Sequence, residues 1–89
     1  NAYTYGIEPA DLRLIGGISQ VKKSVTKKGD PMAFVMLEDD TGKIETLVFP
    51  RMLKKSEDIW QEGKAILLAG SLSWRDREPK VICDEVREL

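Results

Sequence analysis

The sequence predicts an all-β domain with one short helix, in which five strands close into a small barrel. The chain has 89 residues, of which 42% are hydrophobic, so it can form one domain with one small core. Five strand-like runs are separated by turn residues, and one helix-like run lies between the third and the fourth strand. A small antiparallel sheet hides its edge strands by closing on itself, which favours the barrel.

The first three strands are separated by two segments with turn chemistry. The first strand is predicted over about Leu12–Val25, and Gly16 and Gly17 predict a kink that lets it serve two sides of a barrel. Residues 26–31 supply Gly, Asp and Pro for a turn, and Asp39–Gly42 has the pattern of a hairpin turn. The second and third strands are predicted over Met32–Glu38 and Lys43–Phe49.

Pro50 ends the third strand and can open a helix, which is predicted over about Arg51–Gln61 with Gly63 as its C-terminal cap. We expect Trp60, on the apolar face of this helix, to lie in the core. The other members of this face follow a period of about 3.6 residues and are Met52, Leu53, Ser56 and Ile59. The last two strands are predicted over Ala65–Trp74 and Lys80–Val86, joined by a charged loop.

The order strand, strand, strand, helix, strand, strand is that of the OB-fold, a five-stranded Greek-key barrel. In this fold, strands two and three form the nucleic-acid face together with the loops that join strands 1–2 and 4–5. We therefore predict a lead-in segment over 1–11 and an OB-fold nucleic-acid-binding domain over 12–89. The chain starts at Asn1 and its last residues still resemble a strand, so we expect a domain excised from a longer protein.

Composition argues against an independent enzyme. The chain has no His, which removes the commonest general base and the usual zinc ligands. Its single Cys, Cys83, is expected to be a packed thiol in a reducing compartment. The acids of Glu38–Asp40 lack the spacing of a calcium loop and are interpreted as turn residues. No catalytic residue, metal or cofactor is expected, and no apolar run is long enough to cross a membrane.

The net charge of −1 hides two opposite clusters. Residues 22–29 contain Lys22, Lys23, Lys27 and Lys28 and no acid, which gives +4, whereas residues 30–49 contain five acids and one lysine, which gives −4. A solvated lysine loop would explain the positive cluster, but its position in the first binding loop of an OB-fold favours contact with phosphates.

The run TKKGDPMAFVMLEDDTGKIE, residues 26–45, resembles the OB domain of bacterial replicative DNA polymerase III alpha subunits. The resemblance continues through Val48–Pro50, Glu62–Gly63 and Ala69–Ser73, and it covers roughly residues 12–88. Its second half, LEDDTGKIE, is shared more loosely with the anticodon-binding OB domains of class II aminoacyl-tRNA synthetases. Two residues depart from the family pattern: Ser56 replaces a bulky ring, which predicts looser helix packing, and Trp74 replaces a smaller residue.

By analogy with the anticodon-binding relatives, one side of strands two and three is expected to face the ligand. Phe34 would be the stacking platform on that side, although both faces of its strand are apolar and the residues alone leave the orientation open. The other members of that side are Met36, Glu45 and Leu47. Further candidates in or beside the 4–5 loop are Trp74, Arg75, Arg77 and Lys80, for which a salt-bridged hairpin is the alternative, and Arg51 after the third strand.

The resemblance implies a binding module that holds template single-stranded DNA near the core of a DNA-directed DNA polymerase in the bacterial cytoplasm. The metal-binding carboxylates of such a polymerase lie elsewhere in that protein. The implied partners are single-stranded DNA and the remainder of the polymerase chain, and no membrane is expected to be involved. Two alternatives stay open, which are an anticodon or RNA-binding domain and a domain that docks another replisome subunit through Met36, Leu47 and Phe49.

Overall fold

A computed structural model describes the backbone of residues 7–74 and 77–89 and the side chains of residues 12–74 and 77–89. Five strands and one helix follow one another in the predicted order, and the predicted fold class is confirmed. Most bounds fall within two residues of the predicted ones. The elements are β1 (Ile7–Val25), β2 (Pro31–Asp39), β3 (Gly42–Val48), α1 (Pro50–Lys55), β4 (Ala65–Ser73) and β5 (Lys80–Glu88).

The strands close into a barrel in the order β1-β2-β3-β5-β4. Every neighbouring pair is antiparallel except β3 and β5, which run parallel and pair over only three residues of each strand, Glu45–Leu47 and Lys80–Ile82. Because β1 lies beside both β2 and β4, no strand of the barrel lacks a second neighbour. This arrangement satisfies the edge strands that a five-stranded open sheet would leave unpaired.

β1 serves two sides of the barrel, as its glycines predicted. Gly17 is opposite Glu38 of β2 and also opposite Ala65 of β4, so the strand changes partner at this point. A Cβ on Gly16 would lie 3.0 Å from the Glu38 carbonyl oxygen, which shows how closely β2 approaches the bend. β1 begins at Ile7 and not at Leu12, and the boundary between a lead-in segment over 1–11 and the domain over 12–89 stays a prediction.

The core follows from strand alternation, since every second side chain of a strand points to the same side. On β2 the inward residues are Ala33, Val35 and Leu37, each with at most 3% of its surface exposed. The residues that meet them from the other strands are Ile18, Thr46, Val48, Ile66, Leu68, Val81 and Cys83.

The helix is shorter than predicted, because it ends at Lys55 and not near Gln61. The hydroxyl of Ser56 donates a hydrogen bond of 2.6 Å to the Met52 carbonyl oxygen, which a continuing helix would offer to the Ser56 N–H. That N–H turns instead to the carbonyl of Leu53, at 3.2 Å, and the chain leaves the helix. The predicted apolar face is nevertheless packed inward, and Leu53, Ser56 and Trp60 are each 5% exposed.

That Ser56 loosens this packing stays a prediction, although its hydroxyl has partners of its own. Its oxygen accepts a hydrogen bond of 2.7 Å from the indole Nε1 of buried Trp60, so it satisfies the one polar atom of that ring. Gly63 is not a helix cap. It has a φ of 93° in the turn before β4, where its N–H donates to the Ile18 carbonyl at 2.8 Å, and Ile18 N–H donates back to Lys64 at 2.9 Å.

Within the described residues, no helix has the length and apolar character needed to span a membrane.

Candidate nucleic-acid interface

The outer side of β2 and β3 carries a strip of half-buried apolar side chains. Because Ala33, Val35 and Leu37 point into the core, Phe34 and Met36 point outward. Phe34 is directly opposite Leu47 of β3, which in turn is opposite Ile82 of β5. Opposed residues of neighbouring strands lie on the same side of a sheet. We call Phe34, Met36, Leu47 and Ile82 the apolar strip.

Ile82 was not among the residues predicted for this face. Val81 and Cys83 are buried on either side of it in the sequence, at 0% and 4% exposure, so alternation along β5 points Ile82 outward. The alternation along β5 can be read from the sequence. That Ile82 lies beside Leu47 follows only from the parallel pairing of β3 and β5.

On the same face, a pair of charged residues on β3 and β5 lies next to the apolar strip. Met36 is opposite Glu45, and Glu45 is opposite Lys80, whose Nζ lies 3.2 Å from Glu45 Oε1. The side chains of this ion pair are partly exposed, at 33% for Glu45 and 21% for Lys80. Sequence analysis predicted both residues as separate ligand contacts, and the structure brings them together as one acid–base pair beside the apolar strip.

The lysine cluster is divided by the fold. Lys27 and Lys28 lie exposed at the tip of the β1–β2 loop, which the Thr26 N–H closes with a 2.8 Å bond to the Asp30 carbonyl. Lys22 is opposite Phe34 and belongs to the outer face, whereas Lys23 is opposite inward-pointing Ala33 and belongs to the other side of β1. Of the four predicted lysines, Lys22 therefore borders the apolar strip, and Lys27 and Lys28 lie in the adjoining β1–β2 loop.

The β4–β5 loop lies on the opposite flank, beyond Lys80. Trp74 is 46% exposed at its start, and Arg77 is exposed with a φ of 68°, in the left-handed region. Arg75 lies outside the described residues. Arg51 is exposed in the first turn of α1, directly after β3. Cations thus lie in or near both loops that flank the outer face.

Among the acids of the β2–β3 hairpin, Asp39 has a structural role. Asp39 Oδ1 accepts hydrogen bonds from the Thr41 N–H at 2.8 Å, the Thr41 hydroxyl at 2.7 Å and the Gly42 N–H at 3.1 Å. The hydroxyl bond of Thr41 is the main cause that lowers the pKa of Asp39. In the part of the chain that the structure describes, no group of three or more His, Cys, Asp or Glu side chains could hold a metal ion.

Cys83 packs inside the barrel, where its thiol donates a weak hydrogen bond of 3.6 Å to the Glu85 carbonyl. Burial raises the pKa of this thiol to about 12, and the neighbouring Asp84 carboxylate adds to the effect. A thiol that is protonated at neutral pH is a poor nucleophile. The environment of Cys83 therefore agrees with its interpretation as a packed core residue.

A groove of about 560 Å³ lies on the far side of the barrel from β2 and β3. Its walls come from the helical segment, β1, β4 and β5, and β4 has neither β2 nor β3 as a neighbour. The apolar residues of this far-side groove are Met52, Ile59, Leu67, Ala69 and Val86, and its charged residues include Arg13 and Arg87.

Relatives of known identity support the resemblance. The chain is 31% identical over 88 residues to the DNA polymerase III alpha subunit of Halalkalibacterium halodurans, which covers 98% of this chain and 8% of that protein. It is 36% identical over 72 residues to the same subunit of Bacillus subtilis, which covers 81% of this chain and 6% of that protein. The chain thus spans less than a tenth of the length of these relatives.

Solved structures share its fold. The second OB-fold domain of replication protein A from Methanococcus maripaludis has a TM-score of 0.69 and 14% identity, over 90% of this chain and 84% of that one. The mitochondrial single-stranded DNA binding protein Rim1 of S. cerevisiae has a TM-score of 0.61 and 10% identity, over 90% and 93% of the two chains. The family model of the OB-fold nucleic acid binding domain matches residues 12–89. The chain therefore belongs to the family of OB-fold nucleic-acid-binding domains, and its curated relatives are DNA polymerase III alpha subunits.

Proposed function

We propose that this domain binds single-stranded DNA and, within a bacterial replicative polymerase, holds the template strand near the polymerase core. The observation that carries the proposal is the apolar strip, in which Phe34 and Leu47 form a direct cross-strand pair beside the loop of Lys27 and Lys28. Membership of the OB-fold family and the polymerase identity of the relatives support it.

The strip and the loop supply the two things that unpaired DNA needs. Every base has a flat apolar face that can stack on an aromatic ring, and each stacked base contributes about 1–3 kcal/mol without regard to sequence. Phosphates need cations, which Lys22, Lys27 and Lys28 provide on one flank of the strip. A strand lying across β2 and β3 would place its bases on Phe34 and its backbone along these lysines.

Binding of a labelled oligo-dT, measured by fluorescence anisotropy at two salt concentrations, tests the electrostatic part. The logarithm of the affinity should fall against the logarithm of salt concentration with a slope of about −0.7 for each phosphate neutralised. Lys27→Glu combined with Lys28→Glu should weaken binding and flatten this slope. The matched control is Arg13→Glu with Arg87→Glu, the same change in charge on the far-side groove. Equal losses from both double variants would contradict the assigned face.

Phe34→Ala tests the stacking part. Loss of one stacked base should weaken oligo-dT binding about 5- to 150-fold with little change in the salt slope, because no cation is removed. Far-ultraviolet circular dichroism checks that the half-buried ring is not needed for folding. An unchanged affinity in a folded Phe34→Ala variant would refute the stacking role.

An RNA-binding role predicts a different preference. If an RNA stem-loop binds more tightly than oligo-dT in the same assay, the anticodon-type alternative is favoured and the proposal of a DNA-binding module is wrong. The role of holding the template needs the full-length polymerase that contains this segment. There, Phe34→Ala should raise the KM for primed template and leave kcat nearly unchanged, because the catalytic carboxylates lie in another part of the protein.

Docking of another part of the polymerase is a second candidate function, and the far-side groove favours it. The groove is partly apolar, and it lies away from the proposed DNA face, so one domain could use both surfaces at once. Leu67→Glu should weaken capture of a polymerase that lacks this segment when the domain is added separately, while oligo-dT binding stays intact. If Phe34→Ala abolishes that capture and spares DNA binding, the outer face is instead the docking surface.

A further inference from the structure

We infer that Glu45, held in place by Lys80, contacts base edges and makes the outer face prefer bases that carry an exocyclic amino group. The inference rests on the proposed function, since it names which bases the same face prefers. It starts from the ion pair of 3.2 Å between Glu45 Oε1 and Lys80 Nζ.

The position of Glu45 is the first step of the argument. Glu45 lies two residues before Leu47 on β3 and is directly opposite Met36, so it borders the apolar strip on the flank away from the lysine loop. Diagonal neighbours on one side of a sheet are about 7 Å apart, within the span of a nucleobase stacked on a ring. A base lying on Phe34 can therefore extend its edge toward the Glu45 carboxylate.

The charge of Glu45 is the second step. A carboxylate in a face that binds phosphates lowers the affinity for the backbone, and Lys80 offsets that cost because it neutralises the acid locally. Both side chains are partly exposed, so the pair is accessible to a ligand. Lys80 contacts Oε1, and the second oxygen, Oε2, has lone pairs that accept hydrogen bonds.

The chemistry of the base edge is the third step. Cytosine offers its N4 amino group as a donor at position 4, where uracil and thymine offer the O4 carbonyl as an acceptor. A carboxylate accepts from the amino group and repels the carbonyl. Glu45 should therefore favour cytosine over uracil, two bases of the same size whose stacking surfaces differ little.

Oligo-dC and oligo-dU of about 12 nucleotides, within the usual site size of an OB-fold, separate this effect from stacking. The wild-type chain should bind oligo-dC at least about tenfold more tightly than oligo-dU, as expected for one hydrogen bond to a charged acceptor. Glu45→Gln should bring the ratio close to one, because an amide can either accept from the amino group or donate to the carbonyl. The matched control is Glu38→Gln, an exposed acid further along β2, which should leave the ratio unchanged.

Four results would overturn the inference. If Glu45→Gln strengthens binding of both oligonucleotides by the same factor, Glu45 only repels phosphate. If the wild-type chain binds both equally, or if Glu38→Gln changes the ratio as much as Glu45→Gln does, Glu45 has no role in base preference, although DNA binding itself stands. If the wild-type chain binds neither oligonucleotide at low salt, the proposed function fails and the inference fails with it.

Discussion

Ser56→Ala is expected to destabilise the domain because it removes the acceptor of a buried indole. Trp60 is 5% exposed, and its Nε1 donates a 2.7 Å hydrogen bond to the Ser56 hydroxyl oxygen. The same hydroxyl donates a hydrogen bond of 2.6 Å to the Met52 carbonyl oxygen. Alanine keeps the backbone and a similar volume, so the substitution removes these two bonds and little else.

The expected cost is about 2 kcal/mol. A buried donor without a partner costs about 1–3 kcal/mol, and the lost bond to the carbonyl adds up to about 1 kcal/mol. A domain of this size has a free energy of unfolding of about 4–13 kcal/mol, so the loss is a substantial part of the total.

Urea denaturation followed by far-ultraviolet circular dichroism measures this cost without relying on tryptophan fluorescence. Thermal unfolding should show a Tm lowered by about 8–16 °C, because 1 kcal/mol corresponds to about 4–8 °C in a domain of 60–100 residues. The control is the same substitution in a Trp60→Phe background, where no indole donor remains. There Ser56→Ala should cost about 0.5–1 kcal/mol.

The difference between the two backgrounds is the coupling energy of Ser56 and Trp60, which should be about 1 kcal/mol or more. If Ser56→Ala costs the same in both backgrounds, the indole bond contributes nothing measurable. The argument that Ser56 supports the packing of this segment would then be refuted.

Three further predictions concern single residues. Gly70→Ala should cost more than about 3 kcal/mol in urea denaturation, because a Cβ there would overlap the Ile82 carbonyl oxygen, whereas Gly17→Ala, whose nearest neighbour is 4.0 Å away, should cost far less. Hydrogen bonds from Thr41 and Gly42 lower the pKa of Asp39 below 3.8, so the Asp39 carboxylate stabilises the fold above pH 3.8 and this stabilisation is lost as the pH falls further. Asp39→Asn should therefore flatten the dependence of the unfolding free energy on pH in that acid range, and an unchanged dependence would contradict this. The Cys83 thiol, with a pKa raised to about 12, should react with an aromatic disulfide reagent only as fast as the domain unfolds, and rapid reaction of the folded protein would disprove its burial.

Local patterns in the sequence predicted the elements of this fold well, but they did not determine how far the helix extends. The spacing of Leu53, Ser56 and Trp60 suits a continuous helix, and it suits equally a helix of six residues followed by a turn that packs the same side chains inward. The difference depends on the Ser56 hydroxyl, which takes the Met52 carbonyl from the backbone. Periodicity does not record such a competition.

The candidate site depends on contacts between distant parts of the chain. Alternation separates Val35 from Phe34, yet both faces of β2 are apolar, so only the closed barrel decides which side is inward. The pair of Glu45 and Lys80 joins residues that are 35 positions apart, through the parallel pairing of β3 and β5. Nothing in the sequence near either residue indicates the other, which is why the two were predicted as independent contacts.

The double pairing of β1 also governs the order in which the domain can assemble during synthesis. Gly17 meets Glu38 as soon as the first hairpin has left the ribosome, but it meets Ala65 only after 27 more residues have been made. Until then the first half of β1 has an unpaired edge, and an unpaired strand edge is a surface through which nascent chains can aggregate. A truncated chain that lacks β5 would leave both β3 and β4 open at the closing seam, so proteolytic loss of residues 80–89 should produce an aggregating fragment and not a weaker binder.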